Sequence, residues 1–386
     1  MYDFDKIIDR RGTDSFKWDI AENELPMWVA DMDFAVAPEI VEAFAERLKH
    51  PVFGYGKLPD EWYEAYISWW KKRHHFEMRK DSLIFCSGVV PGITSVIRHF
   101  TVPGDNIVML TPTYNHFYNC IEGNGRKVLE VEMDYDGQAY SIDFEKLKNA
   151  LKNSSANIMI ISNPQNPTGN VWNKGDLERI GELCWKYGIV VISDEIHCDI
   201  MTPGVEYTPF AAVSDICRNN SITFIAPTKA FNLAGLQTAA AYAENCNLKN
   251  KLEKAIKKDE ISMPNSFAST AAIAAFTKGE AWLNELNEYI YQNKLIVKEY
   301  LKTEIPQIKL VWGDGTYLLW LDCSSLNMDS KRLAAEIRKT TGLYLMAGSH
   351  YGKGGKNFLR MNIACPKLML FDGLERLKNG RKKYNV

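Results

Sequence analysis

The sequence predicts an α/β protein in which a mainly parallel sheet covered by helices is followed by a smaller α+β block. Three observations predict it. Short apolar runs recur through the middle of the chain at 106–110, 157–162, 189–193, 222–226 and 239–243, as strands buried on both faces require. Helical patterns separate them, which is the alternation of a parallel α/β sheet. From about residue 309 the pattern changes to shorter strands and two late helices.

Each element has a local reason. Between two of the apolar runs, KGDLERIGELCWKYG places Leu177, Ile180, Leu183 and Tyr187 at helical spacing, and Gly188 stands where a helix stops. SGVVPGITSVIRHF reads as a helix carrying Ile93, Val96, Ile97 and Phe100, with residues 87–90 leading into it. A long amphipathic stretch over Glu280–Glu304 leads to strand candidates at 309–312, 317–321, 343–346 and 358–363, with helices near 331–339 and 367–377. The first forty-odd residues lack strong periodicity. The expected division is therefore an N-terminal arm or part of the small domain (1–45), a large domain (46–285) and a small C-terminal domain (286–386).

Composition narrows the classes. At 386 residues, 46% hydrophobic and 24% charged, the chain has the make-up of a water-soluble protein large enough to bury a deep site. A formal charge of −2 gives no electrostatic footprint for nucleic acid. The charged N-terminus MYDFDKIIDRRGTD has no apolar run of signal-peptide length, and no segment reaches membrane-span length. A cytoplasmic location is expected. The eight cysteines include no CxxC pair, and the glycosylation patterns at Asn153 and Asn219 carry little weight without an export signal.

In open parallel sheets, ligands bind outside the carboxyl ends of the strands. Four of those ends carry unusual chemistry: NPQNPTGN, DEIHCD, PTKAFNLAG and FLRMNIACP. Singly, Asn163 and Asn166 are turn formers, Asp194 a turn cap, Lys229 a surface charge and Arg360 a structural partner. Together they supply an amide, a carboxylate, an amine and a guanidinium. Pyridoxal phosphate needs that set: an amine for its aldehyde, a carboxylate for its ring nitrogen and a donor to its ring oxygen. Its phosphate needs backbone N–H groups at a helix N-terminus, which the segment after Ser87 provides.

With WVADMDF, FGYG, SGVVPGI, TPTYNHF, NPQNPTG, SDEIHCDI, PTKAFNLAG, GTYLLWLD and FLRMNIACP in this order, nearly the whole chain resembles the fold type I pyridoxal-phosphate enzymes, and within them the MalY/PatB cystathionine β-lyases. The resemblance implies a seven-stranded large-domain sheet and a homodimer with shared active sites. It implies that Lys229 is the Schiff-base lysine and general base, Asp194 the ring-nitrogen partner, Asn166 the donor to the ring oxygen and Tyr114 the stacking aromatic. Val89 and Val90, with Thr228, would hold the phosphate. Tyr55 would reach a phosphate across the dimer interface, and Arg360 would bind the substrate α-carboxylate.

His197 departs from the tyrosine that many aminotransferases of this fold carry three residues after the aspartate, and is expected to contact the ring oxygen or stand behind it. Asp194, Glu195, His197 and Asp199 also invite a metal reading, but HExxH spacing is missing. Lys229 is expected to have a depressed pKa from cationic surroundings.

The residues themselves lead only to carbanion chemistry on an α-amino acid. The resemblance selects C–S β-elimination from cystathionine, cysteine or cysteine S-conjugates, with an aminotransferase or an added protein-binding role as alternatives. A dehydrogenase is disfavoured, because GKGG at 352–355 lacks the spacing and position of a dinucleotide loop. Tyr2, Trp28 and Tyr317 are candidate pocket aromatics, with plain packing as the rival role.

Overall fold

A computed structural model of the chain describes residues 2–153 and 155–381. Ser154, within the Asn153 glycosylation pattern, lies outside the described residues. Among the described residues, seven strands form the large sheet. Their order is Leu83–Cys86, Ala239–Tyr242, Ser221–Ile225, Val190–Asp194, Ala156–Ser162, Asn106–Thr111 and Lys127–Glu132. Every neighbouring pair from Ser221–Ile225 to Lys127–Glu132 is parallel. Ala239–Tyr242 runs antiparallel to both its neighbours. The five apolar runs read from the sequence are all strands of this sheet. The edge strand Lys127–Glu132 was less legible: it carries charges at Lys127, Glu130 and Glu132 and is exposed at both ends.

Helices cover both faces. Lys174–Lys186 is capped by Asn173, whose side chain accepts from Asp176 N at 2.9 Å, and it ends before Gly188 at φ +69°. Val89–Phe100 buries Ile93, Val96 and Ile97, while Phe100 is only partly buried. The helix begins at Val89, two residues earlier than its apolar pattern suggests.

A second sheet of four strands has the order Lys309–Val311, Leu318–Asp322, Phe358–Asn362 and Met346–Ala347. Its helices are Ser330–Thr341 and Lys367–Arg381, and Glu280–Glu304 spans 25 residues between the two sheets. The expected strand at 343–346 is two short ones, because Leu343–Tyr344 pairs with Leu25–Pro26 from the beginning of the chain. The N-terminal arm is thus tied to the C-terminal block by backbone pairing. Asn232 ties the same arm to the large sheet. Its carboxamide accepts from Met32 N at 3.0 Å and donates to the carbonyls of Met32 (3.1 Å) and Phe34 (3.0 Å). A positive φ of 57° at Asn232 suits a residue that tolerates the left-handed region.

The loop after Ala156–Ser162 is seated on the second sheet. Gly169, at φ +73°, abuts Gly313 and Gly315, and a Cβ on Gly313 would stand 2.5 Å from the Thr168 carbonyl oxygen. Only glycine permits that approach.

Candidate active site

Ser87, Tyr114, Asn166, Asp194 and Lys229 all follow or end strands that run in the same direction, at the carboxyl end of the sheet, so the topology delivers them to one place. They line a cavity of about 320 Å³ together with Val89, Val90, His197 and Thr228. Every large-domain residue expected to serve the site within one chain is therefore in this cavity.

Lys229 is not a surface charge. Its amine donates to the Ala30 carbonyl at 2.6 Å, and Ala30 belongs to the WVADMDF segment. Burial above all holds that amine down to about 8, against the pull of Asp31 and Asp194 and with the push of Arg360. The cationic surroundings expected from the sequence are a secondary cause, because two carboxylates offset the one guanidinium.

Asp194 is 5% exposed, and burial pushes its carboxyl up to about 7 even though Ile196 N donates to it at 3.1 Å and Lys229 is near. It caps its turn and faces the cavity at once. Burial, with Lys229 and Arg360, pushes the imidazole of His197 down to about 3. His197 is therefore a neutral ring whose Nδ1 has no hydrogen-bond partner among the described residues.

Arg360 comes from the second sheet, from the middle of Phe358–Asn362. It is 3% exposed, and its two Nη atoms donate to Asn166 Oδ1 at 3.1 Å and to the Trp28 carbonyl at 2.8 Å. Its Nε is buried and without a hydrogen-bond partner among the described residues. The ring of Tyr351 lies 4.9 Å from the guanidinium. With the Asn166 carbonyl oxygen occupied by Arg360, the amide nitrogen is left to donate into the cavity.

At the opposite end, Val89 and Val90 form the first turn of their helix, where backbone N–H groups have no carbonyl one turn back. The sequence reading missed Thr238 and Gln237, which line this end of the cavity. The buried Thr238 hydroxyl has no hydrogen-bond partner among the described residues. It was missed because Ala239–Tyr242 was read as one more parallel strand, whose functional end would be the far one. Antiparallel pairing of Ala239 with Cys86 instead brings Thr238 beside Ser87. Orphaned donors at both ends, a carboxylate in the wall and a buried amine fit an anionic pyridine cofactor.

Tyr55 stands apart. It is 98% exposed, in a segment with Val52 and Phe53 also exposed, and it does not line its own chain's cavity. Two of the four residues of the metal reading, Glu195 and Asp199, turn to separate sets of partners. Glu195 accepts from Ser193 Oγ (2.8 Å), Phe210 N (2.9 Å) and the Tyr207 hydroxyl. Asp199 turns to Trp69 (3.0 Å), His74 (2.9 Å) and Arg73 (3.2 Å). Of the three aromatic candidates, Tyr317 donates to the Ala30 carbonyl at 3.2 Å, Trp28 stacks on Tyr344 at 4.8 Å, and Tyr2 bonds Glu39 away from the cavity.

The family model described as aminotransferase class I and II matches residues 23–377. The chain belongs to this family. Within it, the chain falls with the PatB and MalY proteins. Cystathionine beta-lyase PatB of Bacillus subtilis is 40% identical over 97% of this chain and 98% of its own length. Protein MalY of Escherichia coli is 34% identical over 98% of each. Among solved structures, cystalysin from Treponema denticola, which contains pyridoxal 5'-phosphate, superposes with a TM-score of 0.96 at 32% identity, covering 99% of both chains.

Proposed function

We propose that this protein is a pyridoxal-phosphate-dependent C–S β-lyase that cleaves cystathionine-type thioether amino acids to pyruvate, ammonia and a thiol. The observation that carries the proposal is the convergence of Lys229, Asp194 and Asn166 on one cavity, with Val89 and Val90 at its end and Arg360 bonded to Asn166 behind its wall. PatB, the relative at 40% identity, is a cystathionine beta-lyase by name, and the Staphylococcus hominis protein with a TM-score of 0.93 is a PLP-bound C-S lyase.

Val89 and Val90 N–H groups, with the Thr228 and Thr238 hydroxyls, would hold the phosphate. Asp194 would face the ring nitrogen, Asn166 the ring oxygen, and Tyr114 the ring itself. When bound, the cofactor supplies an electron sink for the pair released at the substrate α-carbon.

The protein's own groups do the rest. Arg360 binds the α-carboxylate with its planar fork and so fixes the amino acid's orientation. Lys229, with its amine held near 8, has an appreciable neutral fraction near neutrality and takes the α-proton. A cation against Asp194 favours its ionised form, reversing the effect of burial. Neutral His197 completes the wall without adding a second positive charge beside Lys229. The C–S bond breaks with its electron pair on sulfur, and hydrolysis of the remaining three-carbon fragment yields pyruvate and ammonia.

The same proposal includes a homodimer in which Tyr55 enters the partner's site; its support is the exposure of Val52, Phe53 and Tyr55 in one segment. It also includes a cytoplasmic setting, supported by eight free cysteines, seven of them buried. No described helix is long and apolar enough to cross a membrane.

The test is incubation of the holoenzyme with cystathionine and no keto acid. Stoichiometric pyruvate, ammonia and thiol are expected. Amino transfer that requires a keto acid, with no pyruvate released, would establish an aminotransferase instead.

A further inference from the structure

A second cavity, of about 570 Å³, adjoins the first and shares Ala30, Lys229 and Ala234 with it. Its volume is in the range of small-molecule sites. Its floor is apolar, with Val29 and Phe34, and Phe16 stands 72% exposed at its rim. Its charged lining is Arg10, Asp31 and Asp33 besides Lys229, and of the two carboxylates Asp31 is the more exposed.

The charges belong to a balanced quartet. Arg10 bonds Asp31 at 3.2 and 3.0 Å, Asp33 at 2.9 Å and Ser15 at 2.9 Å. Lys17 pairs with Asp33 at 2.6 Å and stands 3.6 Å from Asp31. Lys17 and Asp33 are 1% and 2% exposed, so they face each other inside the arm. Arg10 and Asp31 keep 20% and 25% of their side chains exposed. The Asp31 carboxylate therefore retains acceptor capacity on the cavity side, since a carboxylate offers about four acceptor positions. The arm is held firmly enough to present it, because Asn362 donates to the carbonyls of Val29 (2.7 Å) and Asp31 (2.6 Å).

An amino acid with its α-carboxylate on Arg360 and its α-carbon at Lys229 must send its β-substituent into remaining space. The second cavity is such a space next to Lys229. Resting on the β-lyase reading above, we infer that Asp31, beside Arg10, receives the far ammonium group of the substrate. The preferred class is then thioethers whose leaving thiol itself carries an amino-acid end, rather than S-alkyl cysteines. An ammonium on Asp31, with its neighbouring carboxylate toward Arg10, keeps the wall electrically balanced. An uncharged alkyl group contacts only the apolar floor.

The probe pair is L-cystathionine and S-(3-carboxypropyl)-L-cysteine, which differ only by the far ammonium. For the unaltered holoenzyme, kcat/KM is expected to favour cystathionine. In Asp31→Asn the ratio of the two should fall about 10- to 100-fold, the loss of one charge-assisted hydrogen bond. A second measurement removes turnover from the question: calorimetric titration of both compounds into cofactor-loaded Lys229→Ala, with and without Asp31→Asn, should show the same selective loss in Kd. Equal losses for both compounds would overturn the inference and leave Asp31 acting only on Lys229. An unchanged ratio would overturn it as well. Should the unaltered enzyme cleave neither compound, the β-lyase reading fails, and the calorimetric preference still decides the role of Asp31.

Discussion

Arg360 Nη1 donates to Asn166 Oδ1 at 3.1 Å, joining a strand of the second sheet to the loop that leaves the first. The contact makes one unit of the group proposed to bind the substrate carboxylate and the group proposed to face the cofactor ring. Because Arg360 Nη2 also holds the Trp28 carbonyl, three distant parts of the chain share a single guanidinium.

Arg360→Lys should therefore be almost as damaging as Arg360→Ala. A lysine keeps the charge but loses the fork that spans Asn166, Trp28 and a carboxylate. Loss of the buried contact should lower kcat/KM by about 2–5 kcal/mol, chiefly through KM. Steady-state kinetics on cystathionine checks this, and a kcat/KM within twofold of the unaltered enzyme would remove Arg360 from carboxylate binding.

Lys229→Ala should abolish turnover and the visible absorbance that depends on the lysine amine. The protein should fold, since Lys229 contributes one hydrogen bond to Ala30. Rates in the unaltered enzyme with detectable product formation in the alanine variant would argue for another base.

Asp194 governs how the cofactor-free protein responds to pH. Its carboxyl is raised from about 3.8 to about 7 by burial, so the folded state holds a proton that the unfolded chain releases. The stabilisation is complete below about 4 and is lost as pH rises through about 7, at most about 4 kcal/mol. Glu195, also raised to about 7 by burial, acts in the same direction. Asp194→Asn should therefore raise the Tm of cofactor-free protein relative to the unaltered chain at pH 8 and by much less at pH 5, while weakening cofactor binding. A Tm difference independent of pH would contradict this.

Gly313→Ala tests the seat of the NPQNPTG loop. Its Cβ would meet the Thr168 carbonyl oxygen at 2.5 Å and Gly169 Cα at 2.6 Å, backbone atoms that cannot swing aside. A loss of about 1–3 kcal/mol is expected, with lowered cofactor affinity because Asn166 rides on the same loop. Thermal unfolding and a cofactor titration measure the two effects.

For Tyr55, mixing Tyr55→Ala with Lys229→Ala subunits should restore activity to roughly a quarter of the sites if a two-fold dimer shares its active sites. Both parents must be crippled for the result to count. Absence of recovery in demonstrated mixed dimers would keep Tyr55 out of the partner's site.

Much of the site was legible along the chain. Asn166, Asp194 and Lys229 were found because each follows an apolar run, and strand periodicity and turn chemistry are set by near neighbours in sequence. Helix Glu280–Glu304 was equally readable from its own period. The phosphate end was only half read, since Thr238 depends on which way Ala239–Tyr242 runs, and direction is a property of pairing, not of composition.

The sequence by itself determined which chemical groups the protein owns and that they sit at strand ends. Tertiary structure alone decided that Arg360 meets Asn166 across 194 residues, that burial more than neighbouring charge sets the Lys229 amine, and that Asp31 keeps 25% of its side chain exposed at a second cavity while Asp33, in the same lining, is buried against Lys17. The physical reason is common to all three. Desolvation and long-range contact depend on what the rest of the chain places around a residue, and neither is encoded in the residues beside it.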